Sequence, residues 1–259
     1  MESFDKTKFT VGKTVISRTN PEDTIHRIKE AAINGTGGYI CVSNLRTVIL
    51  AGKDASYRRL MEGSFMNWPD GTPLSWCGKA WGLRDVSFTN GPATFKKMLS
   101  SGDGRIKHFL LGDTQEVLDD IVNKYQGISH GSIVGVYSPP FVPLEEYDFE
   151  AIADMIKSSG ASIVWSAMTA PKQDFFDRKM SDLLPDVLFI GVGRAFRISI
   201  DKVKEAPYWA QKLGLGGLFI SKKRPILRFW SDFRRSFILM GYFIKIWFRR
   251  LRGIKYYEY

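Results

Sequence analysis

Between residues 20 and 190, short apolar runs alternate with stretches whose apolar positions recur every three or four residues. Asn20-Pro21-Glu22-Asp23 has the makings of a helix start: a capping side chain, Pro at the first helical position and acids in the first turn. Ile25, Ile28 and Ala32 follow at helical spacing and predict a helix to about Ile33. Gly35 to Gly38 then turns the chain into Tyr39-Ile-Cys-Val42, which reads as a buried strand. The same alternation predicts strands at Lys107–Leu111, Ser132–Tyr137, Ser162–Ala167 and Asp186–Ile190, with helices near Thr114–Tyr125, Glu145–Ser158 and Gln173–Leu183. Such alternation specifies a Rossmann-like α/β fold, a mostly parallel sheet with helices on both faces.

The pattern changes at Ser221. From there to Tyr259 the chain carries 11 Lys/Arg against 2 Asp/Glu, within a whole-chain net charge of +10, and 11 aromatic residues as well. Read as a helix from about Ile226, this segment has an apolar stripe of Phe229, Phe233, Phe237, Met240, Ile244, Trp247 and Leu251. Arg228, Arg235, Lys245, Arg249 and Arg252 fall largely on the other side. We therefore divide the chain into an α/β domain, residues 1–220, and a basic, aromatic, helical appendage, residues 221–259.

The longest uncharged run of the appendage, Ser236–Ile244, is far short of the roughly 20 residues a spanning helix needs. Basic residues flanking Trp and Phe suit the headgroup region of an anionic membrane, with the rings in the acyl boundary. A helix packed on its own domain, or a stacking groove for single-stranded nucleic acid, would show the same composition. Cys41 and Cys77 lie in apolar segments without metal-ligand spacing, which fits packed thiols in a reducing compartment. Met1–Lys13 lacks the apolar stretch of a secretory signal, so a cytoplasmic location is expected.

In parallel sheets ligands sit beyond the carboxyl ends of the strands. The segments to inspect are therefore Ser43-Asn44, Gly112-Asp113, Ser138-Pro-Pro-Phe141, Thr169-Ala-Pro-Lys-Gln173 and Gly191-Val-Gly193. None is a Walker loop, and Gly191-Val-Gly193 lacks the third glycine of a dinucleotide fingerprint. His26, His108 and His130 show no triad or metal spacing and read as structural.

Taken in order, Val42-Ser-Asn44, Trp68-Pro-Asp-Gly71, His108-Phe-Leu-Leu-Gly112, Gly135-Val-Tyr-Ser-Pro-Pro-Phe141, Ala170-Pro-Lys-Gln-Asp174, Pro185-Asp-Val-Leu-Phe-Ile-Gly-Val-Gly193 and Ala206-Pro-Tyr-Trp209 resemble the WecG/TagA/CpsF glycosyltransferases. The resemblance runs from about Tyr39 to Pro225. It implies an inverting enzyme that moves a sugar from a UDP-sugar to a polyprenyl diphosphate-linked glycan acceptor. The reaction would take place at the inner face of the cytoplasmic membrane, in surface polysaccharide assembly and beside other enzymes of that assembly. On that footing the tail's partner is an anionic membrane surface and not nucleic acid.

The resemblance also assigns residues. Asp70 of the Pro-Asp-Gly motif is the candidate base that takes the acceptor's proton, although Pro-Asp-Gly is also ordinary turn chemistry. Ser43 is counted with it among the candidate catalytic residues. Asn44 and Gln173 would line the donor pocket, yet Asn44 could instead cap a helix from Leu45, and Gln173 could be a first-turn surface residue. Gly71, Gly112, Gly191 and Gly193 complete the expected donor contacts, and Lys172 is a candidate diphosphate contact. No Asp-x-Asp motif is present, and Asp148-Phe-Glu150 falls inside a predicted helix, so no metal or other cofactor is expected. Arg224 and Arg228 would then offset the charge on the leaving UDP. The chain departs from the family pattern at Asp174, commonly Glu, at Arg197, commonly an acid, and at Gly214-Leu-Gly-Gly-Leu218, commonly Gly-Leu-Glu-Trp-Leu. These departures leave open a catalytically weak relative that binds nucleotide-sugar or lipid as an assembly partner.

Overall fold

A computed structural model describes residues 6–101, 104–130, 132–212 and 225–258, and of residues 208, 212 and 225–233 the backbone alone. The chain begins with β1 (Lys8–Val11), β2 (Thr14–Ser17), α1 (Pro21–Asn34) and β3 (Gly38–Ser43). There follow α2 (Leu45–Lys53), α3 (Ala55–Glu62), β4 (Met66–Pro69), α4 (Thr72–Ala80) and α5 (Gly91–Leu99). Next come β5 (His108–Gly112), α6 (Gln115–Tyr125), β6 (Ile133–Tyr137), a 3-10 turn (Leu144–Glu146), α7 (Phe149–Ser159) and β7 (Ile163–Ala167). The order closes with α8 (Lys172–Leu183), β8 (Leu188–Gly191), α9 (Ala195–Ser199), α10 (Tyr208–Lys212) and α11 (Pro225–Leu251).

These elements gather into two units. One holds Glu22–Val42 and Gly91–Val203; the other holds Met1–Pro21, Ser43–Asn90 and Lys204–Tyr259.

Through the first unit run parallel strands in the order β3-β8-β7-β5-β6. They are the near-continuous apolar runs of the sequence, as strands covered on both faces must be. Every residue of β5 and of β8 is buried. Each predicted strand and helix of this region is present, within four residues of its expected ends. One boundary moves with a chemical reason: the 3-10 turn and an extended Tyr147 intervene before α7. Asp148, expected inside that helix, is instead its N-cap, with its carboxylate accepting from the Ala151 N–H at 3.0 Å.

The connections fix where a ligand belongs. From β5 the chain leaves through α6 to β6 on one side, and from the adjacent β7 it leaves through α8 to β8 on the other. With right-handed crossovers α6 and α8 lie on opposite faces, and a crevice opens at the carboxyl ends of β5 and β7.

In the second unit β1 and β2 form an antiparallel hairpin with Val11 opposite Thr14. Gly12 makes its two-residue turn at φ +65°. Asn67 of β4 joins the strands: its N–H donates to Ser17 Oγ at 3.0 Å, and its Nδ2 donates to Val15 O at 3.1 Å and Met61 O at 2.6 Å.

α11 packs against α4 and buries Leu239 and Ile246. The Tyr242 ring lies over Gly12, where an added Cβ would stand 2.7 Å from it. Arg250 Nη1 donates to Ala80 O at 2.7 Å, at the carboxyl end of α4, where a cation complements the helix dipole. Past the helix, Tyr256 O accepts from the Thr10 N–H at 2.9 Å, and its hydroxyl accepts from Arg18 Nη1 at 3.1 Å.

The stripe read from the sequence is not the face that packs. Phe237, Met240, Ile244, Trp247 and Leu251 are exposed, together with Phe248. α11 therefore has two apolar sides, one seated on its unit and one turned to solvent, with exposed Arg234, Lys245 and Arg252 beside the second.

Candidate functional site

At the crevice of the first unit the backbone leaves β5 through Gly112 and Asp113, both left-handed, at φ +105° and +58°. Gly112 has no room for a side chain, since a Cβ there would come 2.7 Å from Ala167 O. The Asp113 N–H donates to the same Ala167 O at 3.2 Å, and Ser138 Oγ donates to Asp113 O at 2.7 Å. The carboxyl ends of β5, β6 and β7 are thus tied at one residue.

Asp113 is also half of an ion pair. Arg197 of α9 donates through Nε to Oδ2 at 2.9 Å and through Nη2 to Oδ1 at 2.7 Å. Oδ1 accepts from the Thr114 N–H as well, at 2.8 Å, at the start of α6. The hydrogen bonds to Asp113, and then its charge, raise the Arg197 pKa further. Arg197 is therefore neutralised by a carboxylate 84 residues away in sequence.

Beyond β7 the Ala170-Pro171 bond is cis and α8 begins at Lys172. Gln173, which could have been a surface residue, is buried. Its Oε1 accepts from the Gly193 N–H at 3.1 Å, and a Cβ on Gly191 would come 2.6 Å from its Nε2. Gln173, Gly191 and Gly193 are thus brought together, the glycines making space for the amide.

The ammonium of Lys172 is engaged. It donates to Val142 O and stands 4.7 Å from the Tyr147 ring centroid and 5.3 Å from that of Phe141, which is itself fully exposed. Lys172 thereby clasps the loop after β6.

Behind the crevice, Asp177 is buried with Oδ2 accepting from Ser166 Oγ at 2.7 Å and Oδ1 without a partner among the described residues. Burial holds its carboxyl well above the usual range. Ser166 works against that shift and the charge of Asp174 adds to it. Burial likewise pushes the Cys41 thiol well up and Cys77 up to about 12, so neither is a nucleophile. His108 accepts at Nδ1 from Trp165 Nε1 at 3.1 Å, and burial lowers its pKa to about 4, as a structural histidine requires.

The second unit carries the other candidates. The Asp70 N–H donates to Ser43 O at 2.7 Å, so the two candidate catalytic residues meet through the main chain, with the Ser43 side chain buried. Thr89 N–H donates to Pro69 O at 2.8 Å and fixes the other edge of the turn. Gly71, at φ +105°, is the N-cap residue of α4, a conformation that favours glycine.

Asn44 does cap α2: its Oδ1 accepts from Arg46 N at 3.0 Å and Thr47 N at 3.3 Å, in a reciprocal capping box. Its Nδ2 has no partner among the described residues and is free to donate. Arg224 lies outside the described residues, as does the side chain of Arg228. Among the described residues no group of three or more His, Cys, Asp or Glu could hold a metal ion. No helix there is long and apolar enough to cross a membrane.

Sequence reasoning passed over the Asp113–Arg197 pairing and the side-chain ties of Thr72 and Asn90, which join positions too distant in sequence for any periodicity to link. The comparison with known families bears on the whole arrangement. The sequence model of the glycosyl transferase WecG/TagA/CpsF family matches residues 9–254. The chain belongs to that family. Membership makes it a glycosyltransferase of cell-envelope polysaccharide synthesis. For a WecG/TagA/CpsF glycosyltransferase, the two candidate clusters are the strand-end crevice and the Asp70 turn.

Proposed function

We propose that this glycosyltransferase moves a sugar from a UDP-sugar to the hydroxyl of a polyprenyl diphosphate-linked glycan, with inversion, while held against the inner face of the cytoplasmic membrane. Asp70 takes the proton from the acceptor hydroxyl as its oxygen bonds to the anomeric carbon. The bond from that carbon to the diphosphate oxygen breaks on the opposite face, and UDP leaves with the electron pair. Cations of the chain offset the charge on the departing diphosphate without a metal, with Arg224 and Arg228 the candidates. Asn44 Nδ2 supplies a polar contact to the donor.

The observation that carries this reading is the second apolar side of α11. A soluble donor and a lipid-linked acceptor meet only at an interface. Phe237, Met240, Ile244, Trp247, Phe248 and Leu251 are large, exposed and on one side of a helix whose other side is already packed. Arg234, Lys245 and Arg252 stand beside them, each worth about 1 kcal/mol near an anionic surface.

The test is UDP release from a panel of UDP-sugars, with a short-chain polyprenyl diphosphate-linked sugar as acceptor and anionic vesicles. Release with one donor, lost in Asp70→Asn with the fold intact, is expected. Equal release from Asp70→Asn, or none from any donor while the protein binds vesicles, would sink the reading in favour of a binding protein.

A further inference from the structure

Four side chains of the second unit converge on the turn that carries Asp70. Thr72, buried and two residues past it, donates its hydroxyl to the main-chain O of Gln211 in α10. Asn90 Nδ2 donates to Gln211 Oε1 at 2.8 Å and to Glu205 Oε1 at 2.7 Å. Gln211 Nε2 donates to Ala206 O at 2.7 Å, closing the amide against its own segment. Gln211 thus uses its main-chain oxygen, its side-chain oxygen and its side-chain nitrogen at once; one of those bonds reaches Thr72, just past Asp70, and one reaches Asn90, next to Thr89, whose N–H donates to Pro69 O.

From this arrangement we infer that Gln211 is a positioning residue for Asp70: it bolts segment 205–211 to both flanks of the turn. Asp70 is held upstream by its N–H to Ser43 O, but Gly71 follows at φ +105°, a residue without a side chain to pack. Thr72 is the first residue after Asp70 whose side chain can fix the turn, and its anchor is Gln211. A base about 1 Å out of place costs up to about a hundredfold in rate while the donor still binds.

The inference rests on Asp70 being the base, so the experiment separates the two. In the full-length protein, kcat and donor KM are measured for Thr72→Val, Thr72→Ser, Gln211→Ala and Asp70→Asn. Hydrogen exchange is followed in residues 66–76. Thr72→Val, which removes the bond to the Gln211 main-chain O, and Gln211→Ala, which keeps that oxygen but removes the Asn90 bond, are each expected to lower kcat by about tenfold with donor KM within about twofold, and to speed exchange in 66–76. Thr72→Ser, which keeps the hydroxyl, is expected to restore both. A role confined to stability would lower the melting temperature and leave kcat below it unchanged, and that result overturns the proposal. So does unchanged exchange in 66–76, or a loss expressed in KM alone. An Asp70→Asn protein with full kcat would overturn instead the assignment of the base beneath it.

Discussion

Arg197 and Asp113 form a two-bond ion pair at the carboxyl edge of the sheet, with Asp113 9% exposed and Arg197 46%. Losing the guanidinium leaves a nearly buried carboxylate with the Thr114 N–H as its remaining side-chain bond. Arg197→Ala is expected to destabilise by about 1–2 kcal/mol, the lower end reflecting solvent screening of the exposed partner. Arg197→Asp should cost more, because it sets two carboxylates against each other. Urea melts at pH 7 decide both points.

His108 gives the stability a pH dependence of known sign. Its pKa falls from 6.5 in the unfolded chain to about 4 in the folded one, so the proton binds the unfolded state more tightly. The contribution of a neutral His108 is whole above pH 6.5 and is lost as pH falls towards 4, by about 3 kcal/mol in all. His108→Gln, which keeps an acceptor for Trp165 Nε1, should show a flatter loss than the parent in urea melts between pH 7 and 4.5.

Asp177 acts with the opposite sign. Its folded pKa is raised, so its favourable state is the protonated one, fully present below the unfolded value of 3.8 and lost as pH rises towards the folded pKa. Asp177→Asn removes that loss. The variant is expected to gain on the parent as pH rises from 4 to 8. A constant difference would refute the buried-charge account.

The two sides of α11 predict two phenotypes. Ile246, 3% exposed, should cost about 2–4 kcal/mol as Ile246→Ala through the cavity left against its unit. Trp247→Glu, at a residue 58% exposed, should leave the melt within about 0.5 kcal/mol yet abolish flotation with anionic vesicles. If Trp247→Glu floats normally, the exposed stripe is not what meets the membrane.

What could be read from the sequence divides along physical lines. Fully buried parallel strands such as His108-Phe-Leu-Leu-Gly112 are continuous apolar runs, and the helices between them carry capping and periodicity signals. The four-residue strands Lys8–Val11, Thr14–Ser17 and Met66–Pro69 escape notice because they are too short for either template and are buried with Thr, Ser and Asn among them. For α11 the sequence shows the exposed stripe but not the side that packs. The strongest stripe, through Trp247 and Ile244, faces solvent, while packing falls to Leu239, Tyr242 and Ile246. Motif residues such as Asp70 and Gln173 could be found one by one, but not the bonds that hold them, because Thr72 and Gln211 are 139 residues apart.

The second unit is woven from three separate stretches, the last beginning at Lys204. During synthesis its hairpin and α4 emerge long before the helix that covers them, and they must wait uncovered while the whole intervening sheet unit is made. A chain halted just past residue 203 would be a half-built enzyme: the sheet unit complete in sequence, and an open apolar seat for α11. Such a nascent chain is where a chaperone has most to do, and where a synonymous change in translation speed would be felt before any change in the finished protein.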